Sequence, residues 1–225
     1  MNILVSGPEA LLAEFKERYG TPDFIRYSAE SINQLQEGEE VIFDFWVDED
    51  PERLQDYHSH PGLTVFLNIP KYSLADLVYQ MGMPESTLIG FNGLPTFINR
   101  PLLEVSLLNK QDESKLKQIC GQLDTEYRLV ADRVGMITPR IIFQIINEAY
   151  YTMQEGTATG EDIDLGMKLG TNYPVGPVEW SKQIGLHHIY ELLEALRHDT
   201  HDERYKVCPL LKQQYLKEQA GLAGM

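Results

Sequence analysis

Short apolar runs alternate with amphipathic stretches up to about residue 134. The runs Val41–Val47 and Leu63–Leu67 are rich in β-branched and aromatic residues and have the length of buried strands. Further strand candidates are Ile3–Ser6, Phe24–Tyr27, Leu88–Gly90, Leu102–Leu107 and Tyr127–Ala131. The first two are separated by a helical stretch, Leu11–Tyr19, that ends at Gly20. Strands alternating with helices predict an α/β layered domain with a mostly parallel sheet.

The remainder of the chain has the pattern of helices. Thr138-Pro139 predicts a helix start, with the hydroxyl at the N-cap and the proline at the first helical position. A broad apolar stripe follows, formed by Ile141, Ile142, Ile145, Ile146, Ala149, Tyr150 and Met153. Thr159–Asp162 resembles a capping box, and Pro177 opens another helix. We therefore place a domain boundary between 1–134 and 135–225.

Composition and charge narrow the class of protein. The 225 residues, 43% hydrophobic and 24% charged, suit one large or two small globular domains. No apolar run approaches the roughly 20 residues that span a bilayer, and the start of the chain reads as a strand, so we expect no signal peptide. Cys120 and Cys208 form no motif, which indicates a reducing cytoplasm. The net charge of -15 argues against nucleic acid and against an anionic membrane surface.

Several motifs of the helical region resemble the 3-hydroxyacyl-CoA dehydrogenase family. Asp132–Ile137 (DRVGMI) is similar to the family's D-R-P-G-F-I junction, and Asn147–Ala149 to its N-E-A. Thr159–Gly170 and Tyr173–Pro177 are similar to its E-D-I-D-x-x-M-x-x-G and P-x-G-P signatures. The resemblance implies an all-helical C-terminal domain of the 6-phosphogluconate/3-hydroxyacyl-CoA dehydrogenase type. In the family, this domain packs on the substrate and forms the homodimer contact.

The N-terminal half resembles the family's Rossmann-like NAD-binding domain in outline, in a shortened and degenerate form. The family's G-x-G-x-x-G turn corresponds to Gly7–Leu12 (GPEALL), where Gly7 alone remains as a cofactor-binding remnant. Glu9 adds a side chain and a negative charge where a pyrophosphate belongs. The acidic residue that binds the ribose falls near Ser28, with Glu30 as a stand-in. The family's helical arm, which contributes to CoA binding, is missing.

The resemblance implies a catalytic histidine and a glutamate twelve positions later, which together serve hydride transfer between NAD and C3 of an acyl-CoA. The family's G-x-H-F-F-N-P and L-V-E-V segments align without gaps to Gly90–Thr96 and Leu102–Val105. The glutamate is present as Glu104, and 104 − 92 gives the spacing of twelve, but the histidine is Asn92. Asparagine takes no proton near neutral pH, so the general base is lost.

Two further polar positions of the family are also changed. An ungapped count places Lys71 at the serine position, with Ser73 as a substitute if the loop shifts. The family's asparagine in G-F-I-V-N-R corresponds to Pro139. We name Glu104 and Asn92 as the catalytic-site candidates and expect no metal site.

Structural interpretations compete with the functional ones. Glu104 fits a half-buried structural carboxylate, bonded to backbone amides or to Asn92, better than a catalytic group. The aromatic residues favour a core or interface position over a stacking platform: Phe43, Phe45, Trp46 and Trp180. Two histidine pairs offer a metal site that lacks a third ligand at motif spacing: His58 with His60, and His198 with His201. The acidic run Asp48–Asp50 is typical of a solvated turn.

Two hypotheses about function follow. In the first, the chain has lost NAD-dependent dehydrogenase activity, needs no cofactor, and serves as a binding or regulatory protein that dimerises through its C-terminal helices. In the second, it is an active oxidoreductase of fatty acid metabolism that converts 3-hydroxyacyl-CoA to 3-oxoacyl-CoA with NAD. Its small-molecule partner would then be acyl-CoA-like.

Overall fold

The computed structural model describes residues 1–29 and 38–222, and the chain divides into two compact units, Met1–Met136 and Ile137–Met225. The division lies two residues beyond the boundary drawn from the sequence. Gly135 donates from its amide to the Pro70 carbonyl at 2.7 Å, and the Met136 side chain packs into the core of the first unit. These two contacts keep residues 135 and 136 with the α/β unit.

In the described residues, seven strands of the first unit form one sheet in the order β2-β1-β3-β4-β5-β6-β7. All neighbouring strands are parallel except β5 and β6, which are antiparallel. The strands are β1 Asn2–Ser6, β2 Ile25–Ser28, β3 Glu39–Asp44, β4 Thr64–Asn68, β5 Thr87–Phe91, β6 Leu102–Leu107 and β7 Glu126–Val130. The helices are α1 Glu9–Tyr19, α2 Leu74–Met81 and α3 Glu113–Gln122. The predicted α/β class is confirmed.

The central strands are apolar on both faces because both faces are covered. Alternate side chains of one strand enter different cores: Ile3 packs with Phe15 of α1, whereas Leu4 packs with Leu74 of α2. This arrangement explains the continuous apolar runs that identified the strands, since a strand of a parallel sheet is buried on both sides.

The strand order reverses direction at β1, which lies between β2 and β3. In open α/β sheets, ligands bind in the crevice outside the carboxyl ends of the strands at such a reversal. The residues that follow β1 and β3 directly are Gly7 and Phe45. Any ligand site of the expected kind therefore lies at these two residues.

The second unit is helical, as predicted. Its helices are α4 Thr138–Gln154, α5 Gly160–Thr171, α6 Pro177–Ile184, α7 Leu186–Thr200 and α8 Pro209–Gln219. Thr138 is the first residue of α4 and Ile137 occupies its N-cap, so the predicted cap is off by one residue. Thr159 caps α5, since its hydroxyl accepts from the amide of Asp162 at 3.2 Å, which is one of the two bonds of a capping box. No helix in the described ranges is long and apolar enough to cross a membrane.

Motif residues of the helical unit bind or pack against other segments of the same unit. The Asp164 carboxylate accepts from the amides of Val178 and Glu179 at 2.8 and 2.9 Å, which caps α6. A β-carbon on Gly176 would lie 2.3 Å from Cβ of Asp164, so this close approach requires glycine. Asn147 similarly donates to a carbonyl and accepts from an amide of the segment 206–208. These motif residues hold the fold together.

Candidate active site

The first turn of α1, which follows the turn after β1, contributes a side chain to the hydrophobic core. Leu12, at the third glycine position of the turn motif, is 5% exposed and packs in the same cluster as Phe15. Glu9 is exposed in the first turn of α1, where its negative charge interacts favourably with the helix N-terminus. Pro8 occupies the N-cap position and has no amide proton to offer an anion.

Phe45 extends from the turn after β1 to the loop after β5. A β-carbon on Gly7 would lie 2.7 Å from Cβ of Phe45, and one on Gly93 would lie 2.7 Å from Cε1 of the same ring. The ring makes edge contacts with Phe15 at 6.0 Å and with Phe91 at 5.1 Å between centroids. It is 1% exposed. The core of the α1 face thus continues to the carboxyl end of the sheet.

Asn68 joins the loops that follow β3 and β5. Its side-chain oxygen accepts from the amide of Gly93 at 2.8 Å, and its side-chain nitrogen donates to the Phe45 carbonyl at 3.5 Å. The residue is 2% exposed. Its role was not recognised from the sequence, although a polar residue directly after the apolar run 63–67 is a usable signal for the carboxyl edge of a sheet.

Asn92 and Glu104 face each other across the antiparallel pair β5–β6. The Asn92 amide donates to the Glu104 carbonyl at 3.1 Å, and the Asn92 side-chain oxygen accepts from the Leu94 amide at 3.4 Å. Both residues are buried, at 4% and 9% exposure. The two candidate residues are therefore neighbours, and the Asn92 side chain forms its hydrogen bond within its own loop.

Glu104 is accompanied by a cation, Arg100, that the sequence did not single out. Burial lowers the pKa of the Arg100 guanidinium, while the nearby carboxylates of Glu14 and Glu104 act in the opposite direction. Arg100 also donates from Nε to the Thr96 carbonyl at 2.9 Å. The charges of Arg100 and Glu104 therefore interact, although the side-chain hydrogen bond given above for Arg100 goes to the Thr96 carbonyl.

Glu14 of α1 fixes the loop between β5 and β6. Its carboxylate accepts from the amides of Thr96, Ile98 and Asn99 at 2.9, 3.0 and 3.1 Å. Thr96 has a φ of 73°, a left-handed conformation that is uncommon for a β-branched residue and is held here by its surroundings. The loop after Asn92 is therefore hydrogen-bonded to α1, the helix that follows the Gly7 turn.

Lys71 lies in a buried ion-pair cluster. Its ammonium lies 3.3 Å from Oδ2 of Asp48 and 2.8 Å from Oε1 of Glu49, and its amide donates to Oδ1 of Asp48 at 3.1 Å. Burial raises the pKa of Asp48 to about 7, and the charge of Lys71 opposes this rise. Asp48 is 1% exposed, so the interpretation of Asp48–Asp50 as a solvated turn is wrong for its first residue. The physical reason is the lysine, which makes burial of this carboxylate tolerable.

Ser73 is the N-cap residue of α2. Its hydroxyl accepts from the amide of Asp76 and donates to the Asp76 carboxylate at 2.9 Å. Asp132, from the junction motif, accepts from the amides of Leu74 and Ala75 at 2.7 and 2.9 Å. The structure therefore gives Ser73 a capping role, and Pro139 is buried near the start of α4.

Other sequence candidates have structural positions. The Ser28 carbonyl accepts from the Gly7 amide at 3.2 Å, while Glu30 lies outside the described residues. The aromatic side chains expected in the core are buried at Phe43, Phe45 and Trp180, and Trp46 is partly buried. Across 1–29 and 38–222, neither predicted histidine pair belongs to a group of three ligand atoms close enough for a metal ion.

Comparison with known proteins agrees with the motifs of the helical unit. Residues 135–224 match the model of the 3-hydroxyacyl-CoA dehydrogenase C-terminal domain. Residues 135–224 therefore correspond to the C-terminal domain of the 3-hydroxyacyl-CoA dehydrogenase family. The 3-hydroxyadipyl-CoA dehydrogenase of Escherichia coli is 47% identical over 89 residues, which are 40% of this chain and 19% of that protein.

Two other family members match more of the chain. The 3-hydroxybutyryl-CoA dehydrogenase of Clostridioides difficile is 26% identical over 186 residues, 81% of this chain and 66% of that protein. The crystal structure of (S)-3-hydroxybutyryl-CoA dehydrogenase from Ralstonia eutropha has a TM-score of 0.72 at 18% identity, over 98% of this chain and 94% of that one. This second likeness shows the fold. The matched part of the chain covers 19% of the Escherichia coli protein and 66% of the Clostridioides difficile protein, which in both cases is less than two thirds of the relative's length.

Proposed function

We propose that this family member has lost NAD-dependent dehydrogenase activity and serves as a homodimeric binding or regulatory protein. The observation that carries the proposal is Asn92, buried at the position of the family's general base and bonded to its own loop. An amide has no proton-accepting nitrogen near neutral pH, so it cannot remove the proton of a 3-hydroxyl group. Arg100 beside Glu104 supports the same conclusion, because a guanidinium stays protonated.

An activity assay tests the loss of chemistry. We expect no NADH oxidation above background when the purified protein is mixed with acetoacetyl-CoA. The control is Glu104→Gln, which removes the carboxylate at the position of the family's glutamate. Turnover by the unmodified protein that Glu104→Gln abolishes would favour the alternative, an active oxidoreductase that interconverts 3-hydroxyacyl-CoA and 3-oxoacyl-CoA with NAD. That alternative is supported by the placement of Glu104 opposite position 92.

Homodimerisation is proposed from the apolar surface of the helical unit. None of the residues of α5 is buried, and Leu165 and Leu169, four positions apart on one helix face, are 56% and 79% exposed. On α4, Ile141 is 54% exposed. Exposed apolar residues grouped on neighbouring helices are typical of an interface, and a second copy of the chain fits the dimers expected of the family.

Sedimentation tests this part of the proposal. We expect a dimer at micromolar concentration, and a shift to monomer when Leu165 and Leu169 are both changed to glutamate. Tyr79→Glu is the matched control, because Tyr79 is 90% exposed on α2 of the other unit. A monomeric wild-type protein would contradict the dimer.

A further inference from the structure

The carboxyl end of the sheet holds side chains of the protein where the fold class places a dinucleotide. In such folds, the cofactor lies across the end of β1 and its neighbour at the strand reversal, close to the backbone of the following turn. Here the amide of Phe45 donates to the Ser6 carbonyl at 2.8 Å, so the backbone bonding between β1 and β3 continues to the first residue after β3.

We propose that the Phe45 side chain occupies the crevice at the strand reversal. The α/β unit then has no dinucleotide site, because its own side chain fills the position of the cofactor. The ring reaches from Gly7 to Gly93, and any β-carbon at either glycine would collide with it. The space beside the Gly7 backbone, which a bound cofactor would occupy in the family, is therefore taken by the Phe45 side chain. The inference deepens the proposed function, on which it rests, from loss of the base to loss of the cofactor site.

Polar contacts hold the ring in place. Asn68, 2% exposed, bonds to the backbone on both sides of the ring, at the Phe45 carbonyl and the Gly93 amide. A buried amide with both ends satisfied is costly to disturb, because opening the crevice would leave donor and acceptor unpaired. A dinucleotide would have to break these bonds as well as displace the ring.

Charge at the turn acts in the same direction. The pyrophosphate would approach the first turn of α1, where Glu9 already presents a carboxylate and Pro8 lacks an amide proton. Glu9 thus supplies the negative charge that a helix N-terminus favours. Steric filling at Phe45 and like charge at Glu9 are independent obstacles.

Ligand binding tests the inference without relying on turnover. Wild-type protein is titrated with NADH while the melting temperature and the fluorescence of Trp46, the residue next to Phe45, are recorded. We expect no change at millimolar NADH. A ligand at a hundred times its dissociation constant would raise the melting temperature by about 5–10 °C. Saturable quenching with such a rise would overturn the inference, and it would leave the proposed loss of activity intact if turnover were still absent.

Variants test the assignment to Phe45. Phe45→Ala with Glu9→Gly is compared with Phe66→Ala with Glu9→Gly, since Phe66 is buried in the same aromatic cluster in the middle of β4. We expect both double variants to lose about 10 °C in melting temperature. We expect stabilisation by NADH in the Phe45 variant alone. Folded variants that respond equally, or not at all, would contradict the assignment, and Phe45→Leu with Glu9→Gly provides a milder replacement if the alanine variants fail to fold.

Discussion

The two units of the chain treat the family's motifs in opposite ways. In the helical unit, motif residues such as Asp164 and Asn147 bind backbone groups of neighbouring segments, so their removal would weaken the fold. In the α/β unit, Glu104 and Gly7 are kept, but several other motif positions carry different residues, and Leu12 at one of them is in the core. The motif residues of the helical unit thus stabilise its fold, whereas Leu12, at a motif position of the α/β unit, packs in the hydrophobic core.

Two side chains of the α/β unit connect segments that are distant in the sequence. Glu14 holds the loop after β5 through three amides, and Phe45 connects the turns at Gly7 and Gly93. Such contacts are internal and permanent, whereas contacts with a cofactor depend on its concentration.

The largest expected effect separates packing from binding at the turn. Leu12→Gly restores a glycine of the dinucleotide motif but removes a side chain that is 5% exposed in the core. We expect a loss of about 4 kcal/mol in the free energy of unfolding, from the cavity and from glycine in a helix. Chemical denaturation measures it, and Glu9→Gly at the exposed first turn is the control, with a loss below about 1 kcal/mol. A mild effect of Leu12→Gly would mean that the turn is not part of the core.

A second substitution tests the folding role of the helical motifs. Gly176→Ala would place a β-carbon 2.3 Å from Cβ of Asp164, so we expect a loss of about 3 kcal/mol from overpacking and a weakened cap on α6. Gly166→Ala is the matched control, because a β-carbon there meets no atom within 4 Å and alanine favours the helix by about 1 kcal/mol. Thermal unfolding of both variants gives the contrast. Equal stability would show that the P-x-G-P glycine has another purpose.

A smaller effect concerns the buried ion pair of the α/β unit. Burial raises the pKa of Asp48 to about 7, above the value in the unfolded chain, so the folded state binds this proton more tightly. Its contribution to stability is fully present below the unfolded pKa and is lost as the pH rises through about 7. Asp48→Asn keeps an acceptor for the amide of Lys71 and removes the titration. We expect the stability of the variant relative to wild type to rise by about 2–3 kcal/mol between pH about 5 and about 8.

The reference for this measurement is the variant itself, titrated over the same range, so that other groups cancel. A difference that stays constant with pH, or that falls as the pH rises, would show that Lys71 outweighs burial and that Asp48 remains ionised throughout. Either result would identify the dominant force at this pair.

Much of the fold was predictable because hydrophobic pattern and motif spacing are local properties of the chain. The strand candidates correspond to the observed strands with small shifts at their ends. Asn92 and Glu104, which were aligned through the family resemblance, are joined by a backbone hydrogen bond. Strand runs and a fixed offset within one hairpin need no long-range information.

The rest of the site depends on contacts between distant segments. Asp48 reads as solvent-facing within its acidic run, and its burial follows from Lys71, which is 23 positions away. Phe45 was recognised as a core residue, but its place against Gly7 and Gly93 requires the three-dimensional arrangement of three strand ends. The clamp from Glu14 to residue 96 spans 82 positions. Side-chain partners over such separations have no signature in a single sequence.

The central claim is that the α/β unit has been rebuilt for packing, so restoring the base alone does not restore the enzyme. The most direct measurement is the rate of NADH oxidation with acetoacetyl-CoA by Asn92→His across a pH range that spans the titration of histidine. We predict a rate equal to wild-type background at every pH, because the Phe45 ring lies against Gly7 and Gly93, where the proposed account leaves no room for the cofactor. A gain of roughly 10²–10⁴-fold that follows the deprotonation of histidine would contradict this account.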